Sequence, residues 1–112
     1  MRLVASGKLV TGFDCVAKPA LGADACNMAR PMMFALGCIQ ARRCHTDHCP
    51  TGTTTQDPNS NKAVDVETHA PRVANFHART LESVQEIIGV LGCTNPEELT
   101  PAPILMRGSH AQ

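Results

Sequence analysis

The chain has no tryptophan, no tyrosine and only 3 phenylalanines among its 112 residues. Single-strand and RNA binders stack bases on aromatic side chains, and this sequence cannot supply such a platform. Neither charge is in excess, since 10 Lys and Arg balance 10 Asp and Glu. Arg42-Arg43 is the one adjacent basic pair, too small a footprint for nucleic acid or an anionic membrane. No apolar run approaches the roughly 20 residues that span a bilayer. The opening Met-Arg-Leu-Val-Ala-Ser-Gly is interrupted too soon for a secretion signal. A cytoplasmic, reducing location is the expectation.

Cysteine is not scarce. There are 6, and three of them, Cys38, Cys44 and Cys49, crowd into one segment with His45 and His48. Cys15, Cys26 and Cys93 stand singly in apolar surroundings, which argues against a disulfide framework. Cys15 and Cys26 read as small buried hydrophobes and Cys93 as incidental.

Arg2–Ser6 reads as a short buried strand ending at Gly7. Phe13–Leu21 then reads as a helix with Phe13, Val16, Ala17, Ala20 and Leu21 on one face. Pro19 should kink or shorten it, and Gly22 should cap it. Ala25–Ala29 is a second buried strand, and Pro31 opens a helix reaching about Gln40. Strand, helix, strand, helix implies parallel strands with a crossover, an α/β pattern. A polar loop from Thr51 to about Thr68 follows the cysteines. Pro71 then opens the longest helix, with Val73, Phe76, Thr80, Val84, Ile87 and Leu91 on its packed stripe and Gly92 at its end. Thr94–Leu99 reads as one capped turn, and the remaining tail as extended or disordered. Two parallel strands need neighbours, so the sequence is incomplete as a fold.

Each strand ends in a turn that offers donors to an anion. Ser6, Gly7 and Lys8 combine close backbone approach with a positive charge; Ala29 and Arg30 stand at a helix N-terminus. Two successive strand ends of this kind make a phosphate site conceivable. In (β/α)₈ barrels such a site follows strands seven and eight. The plainer account is an ordinary turn and an ordinary surface charge.

The spacing of Cys38, Cys44 and Cys49 matches neither paired C-x-x-C zinc ribbons nor ferredoxin runs. Three thiolates with a nearby histidine could hold zinc, and thiolates equally suit iron and sulfide. From chemistry alone zinc, iron–sulfur and no metal all stay open.

V-A-S-G-K-L-V-T-G-F-D and A-L-G-A-D-A-C-N-M-A-R-P-M resemble the last two β/α units of FMN-binding barrels. A-L-G-C-I-Q-A-R-R-C-H-T-D-H-C-P-T-G-T-T-T-Q-D-P is similar to the cluster loop of glutamate synthases, over a resemblance running from about Arg2 to at least Leu91. The resemblance implies the C-terminal portion of an FMN-binding TIM (β/α)₈ barrel, residues 1–91, including a cluster loop at 37–58 and a helix at 71–91. Residues 92–112 would be a tail. It implies a 3Fe–4S cluster on Cys38, Cys44 and Cys49, with His45 and His48 outside the ligand set. It implies FMN, its phosphate held by Ser6, Gly7, Lys8, Ala29 and Arg30. The implied chemistry is reduction of 2-iminoglutarate, formed from 2-oxoglutarate and ammonia, to L-glutamate. Partners would be that substrate and the remaining barrel units, in the same or another chain.

Three departures accompany the resemblance. Ala29 stands where such barrels usually carry glycine, Pro19 interrupts a smoother family helix, and Met1 directly precedes a core strand. The last suggests a truncated or late-started frame. No N-terminal nucleophilic cysteine is present for glutamine hydrolysis. A small metal-binding electron-transfer module, or a zinc-stabilised domain working through a partner chain, is the competing expectation.

Overall fold

The structure, a computed structural model, describes residues 1–104. Residues 105–112 of the expected tail lie outside the described residues. The chain divides into two compact units, one of Met1–Asn27 with the chain from Leu81 on, the other of Met28–Thr80.

In the first unit, β1 (Val4–Ser6) and β2 (Ala25–Asn27) pair in parallel with Val4 opposite Ala25 and Ser6 opposite Asn27. The order of strand, α1 (Gly12–Ala20) and strand is the expected βαβ connection. Asp24 ties the start of the pair: its carboxylate accepts from the Leu3 amide at 2.7 Å, and its own amide donates to the Leu3 carbonyl at 2.8 Å. Both strands are shorter than expected and neither is buried. Val4 is 62% exposed, and Ala5 and Cys26 are half-buried. The cause is the missing company: among the described residues each strand pairs only with the other.

α1 starts where Thr11 and Asp14 cap each other reciprocally, the Thr11 hydroxyl accepting from the Asp14 amide at 3.3 Å. Pro19 lies inside α1, one residue from its end, and the helix keeps the nine residues' length expected of Phe13–Leu21, one position earlier. Val16, Ala17 and Ala20 are buried, whereas Phe13 and Leu21 at the ends of the expected stripe stay about half exposed. α1 packs on β2 and on the 3₁₀ turn Pro96–Glu98, capped by Asn95. Leu9 and Ile88 complete the buried apolar set of this unit.

In the second unit, α2 (Arg30–Leu36) is shorter than expected. Gly37 ends it in the left-handed region at φ 116°, and the Cys38 amide turns back to the Met33 carbonyl at 2.9 Å. The expected polar loop contains one helical turn, α3 (Pro58–Asn61), because Asp57 caps it and Pro58 opens it.

α4 (Val66–Val90) starts at Val66 rather than Pro71. Asp65 supplies the cap, accepting from the Thr68 amide at 3.0 Å and the Thr68 hydroxyl at 2.6 Å. Pro71 thus lies inside the helix near its N-terminus, where it removes a single backbone bond. The boundary between the units falls within α4. The stripe of Val73, Phe76, Thr80, Val84, Ile87 and Leu91 is half-buried throughout, as its spacing predicts.

Candidate metal centre

The cysteine segment lies wholly in the second unit, and each thiol arrives by a different local device. Cys38 follows the left-handed end of α2 directly. Its sulfur accepts from the Gln40 amide at 3.4 Å. Gln40 and Arg42 both sit at positive φ, 59° and 58°, a strained conformation for side-chain-bearing residues. Cys44 begins the 3₁₀ turn Cys44–Thr46, held by the Thr46 amide and hydroxyl on the Arg43 carbonyl. Cys49 opens the Cys-Pro-Thr-Gly turn, whose last amide, of Gly52, donates to its carbonyl at 3.2 Å.

Two polar clasps fix the loop beyond. The Asp47 carboxylate accepts from the Gln56 amide at 2.6 Å, and the Thr55 hydroxyl donates to the Asp47 carbonyl at 2.6 Å. Thr55 is itself buried. Gly52 is buried at φ 77°, and a Cβ there would run into the Ser60 carbonyl of α3. Only glycine serves at that crossing.

Cys38, Cys44 and Cys49 line one narrow cavity of about 20 Å³, together with Arg42, Arg43, Pro50, Thr51, Thr53 and Thr54 among others. The structure therefore brings the three expected ligands to one place. The Cys49 sulfur has the Thr51 hydroxyl at 3.4 Å and the Thr53 hydroxyl at 3.5 Å. Those two hydroxyls, and then the Thr54 side chain and amide turned toward the sulfur, favour the thiolate and lower the Cys49 thiol to about 5. The Thr54 hydroxyl is buried and completes no hydrogen bond.

Among the described residues no three His, Cys, Asp or Glu side chains converge as a single metal ion requires. One zinc ion would need its donors within about 2.3 Å of one point. His45 and His48 are exposed. The His48 ring pairs with the Thr46 carbonyl, and neither histidine lines the three-thiol cavity. A second, open cleft of about 480 Å³ lies beside it, lined by Ala29, Arg30, Met33, Phe34, Cys38, Gln40, Arg42, Cys44 and His45.

The expected anion-binding residues fall in different units. Ser6, Gly7 and Lys8 form an exposed turn in the first, with Gly7 and Lys8 both at positive φ, 91° and 54°. Ala29 and Arg30 open α2 in the second, and no side chain caps that helix. Ala29 is at φ −102°, a conformation any residue adopts, so replacing glycine there strains nothing. Cys15 and Cys26 are half-buried rather than fully buried, and desolvation pushes both thiols up. The residues missed from sequence are Asp47, Thr51, Thr53, Thr54 and Thr55. The signal for the four threonines is the hydroxyl-rich run directly after the third cysteine; Asp47, two residues before that cysteine, has no such signal.

The βαβ unit and the three-thiol loop define an α/β protein with a cysteine-rich segment. A family model described as the conserved region in glutamate synthase matches residues 1–94, and the chain belongs to that family. It is 38% identical over 107 residues to the glutamate synthase large subunit-like protein YerD of Bacillus subtilis, covering 96% of this chain and 20% of that protein. It is 36% identical over 106 residues to the archaeal glutamate synthase (NADPH) of Methanocaldococcus jannaschii, covering 95% of this chain and 21% of the relative. With the glutamate synthase (NADH) of Saccharomyces cerevisiae it shares 32% identity over 93 residues, 83% of this chain and 4% of the yeast protein. The chain thus spans about a fifth of the length of the first two relatives. Its few strands and mixed helices suit a fragment of a glutamate synthase domain. No described helix is long and apolar enough to cross a membrane.

Proposed function

We propose that the chain is the cluster-bearing C-terminal part of an FMN-binding (β/α)₈ barrel in a glutamate synthase-type oxidoreductase. Residues 1–91 would form the last two β/α units, the loop at 37–58 and the long helix, with the tail beyond. The whole enzyme would reduce 2-iminoglutarate, formed from 2-oxoglutarate and ammonia, to L-glutamate. The observation that carries the assignment is the gathering of Cys38, Cys44 and Cys49 on one cavity that neither His45 nor His48 lines. Three thiols suit a 3Fe–4S cluster, with one thiolate per iron, better than one zinc ion, which takes four donors.

The donor set fits in a second respect. Hydroxyls surround Cys49 and keep its sulfur ionised, the form in which a thiol ligates. No carboxylate lines the cavity, whereas the guanidinium-bearing Arg42 and Arg43 do. When bound, the cluster passes electrons singly and FMN passes them in pairs, which lets a one-electron donor serve a two-electron reduction. Ser6, Gly7 and Lys8 of one turn, and Ala29 and Arg30 of another, would hold the FMN phosphate through amides and cationic side chains.

The test is anaerobic loading of the full chain with ferrous iron and sulfide, in parallel with zinc. About three irons per chain, brown absorbance and the EPR signal of an oxidised three-iron cluster are expected. Tight binding of one colourless zinc ion, with no uptake of iron and sulfide, would overturn the assignment.

A further inference from the structure

Thr54 presents a buried hydroxyl that completes no hydrogen bond, on the wall of the cavity that the three cysteines line. Buried hydroxyls rarely go unpaired, because desolvation without a partner costs about 1–3 kcal/mol. Its neighbours are all engaged. The Thr51 and Thr53 hydroxyls meet each other at 2.7 Å and face Cys49, and the Thr55 hydroxyl donates to Asp47. Thr54 alone in the run completes no hydrogen bond, although its side chain is turned toward the Cys49 sulfur on the cavity wall.

We propose that Thr54 is a positioning residue whose hydroxyl donates to a sulfur of the iron–sulfur group and so raises its reduction potential. The inference rests on the cluster assignment above. Reduction adds one electron, supplied by the titrant, and breaks no bond. The added negative charge spreads onto the sulfurs, where a donated hydrogen bond stabilises the reduced form more than the oxidised form. Thr54 acts on the potential alone and holds no iron itself.

The experiment compares the full wild-type chain, Thr54→Val and Thr54→Ser, each loaded anaerobically with iron and sulfide and titrated spectroelectrochemically. Valine keeps the shape and removes the donor; serine keeps the donor. Thr54→Val should disfavour reduction about tenfold, a shift of about 59 mV to lower potential for one electron. Thr54→Ser should titrate as wild type does. If Thr54→Val cannot retain iron while Thr54→Ser does, the hydroxyl holds the group in place rather than tuning its potential, and the inference is overturned. The inference is overturned if Thr54→Val loads and titrates like wild type, or if serine shifts the potential as far as valine. It is also overturned if neither variant retains iron, since the loss then does not follow the hydroxyl. Failure of the wild-type chain to take up iron and sulfide would sink the cluster assignment and this inference together. The other negative results leave the assignment standing.

Discussion

The unit built around α1 and the unit built around the cysteines bury different kinds of atoms. The first hides Leu9, Val16, Ala17, Ala20 and Ile88, side chains with nothing to do but leave water. The second hides Pro31, Gly52 and Thr55, while its larger apolar residues Phe34 and Ile39 are 45% and 66% exposed. Apolar burial is non-directional and tolerates small shifts. The clasps of Asp47, Thr55 and Asp57 are directional, and each contributes only about 1 kcal/mol net. A loop held that way has a defined shape with little stability behind it. Such a segment suits a site whose ligand is meant to supply the rest.

The sharpest way to break this contrast is to add and remove the metal group. Hydrogen exchange on the full chain, with and without iron and sulfide, should show protection in residues 38–57 rising strongly on loading, while amides of α1 change little. Saturation a thousandfold above Kd would contribute about 4 kcal/mol to whatever the ligand holds folded. Replacing Cys49 with serine should abolish the gain. Equal protection of the loop in both states would show that its polar clasps suffice.

Single substitutions test each side of the comparison on its own terms. Gly52→Ala puts a Cβ against the Ser60 carbonyl at a positive φ, so backbone must move; a cost of about 2–4 kcal/mol to the loop is expected. Limited proteolysis between Cys49 and Asn61 should report it as faster cleavage. Val16→Ala, in the most completely buried side chain of the first unit, should cost about 1–3 kcal/mol, read from urea unfolding curves, and leave loop cleavage unchanged. If the two variants affected both readouts alike, the units would share one source of stability.

The apolar half of the molecule was legible because its signals are periodic. The stripe of α4 and the Val16, Ala17 and Ala20 part of the α1 face follow from spacing alone, and the βαβ order follows from strand, helix and strand. Errors fell where short-range polar chemistry overrode a stronger symbol. Pro71 looks like the start of α4 in the sequence, but Asp65 and Thr68 form a cap that starts the helix earlier and leaves the proline inside. The composition of the strands points to burial, whereas burial depends on neighbouring strands that the described residues do not contain. Cys38, Cys44 and Cys49 could be singled out by residue type. The threonines beside them could not, because which hydroxyl is spent on a clasp and which is left over depends on the path of the turn.

The smallest expected effect tests the polar side within the apolar unit. Amides of Thr11 first, then of Val10, donate to the Asp14 carboxylate and hold it below the usual carboxylate range. A carboxyl depressed by folding contributes stability above its ordinary value and loses it as pH falls through that value and then through the folded one. Asp14→Ala should therefore lower stability at neutral pH by about 0.5–1 kcal/mol, the worth of a helix cap. The difference from wild type should close as the pH is taken well into the acid range, where both chains lack the charge. Urea midpoints of the two chains across that range decide it. A gap that persists undiminished into acid would mean that Asp14 acts through packing and the α1 cap is not electrostatic.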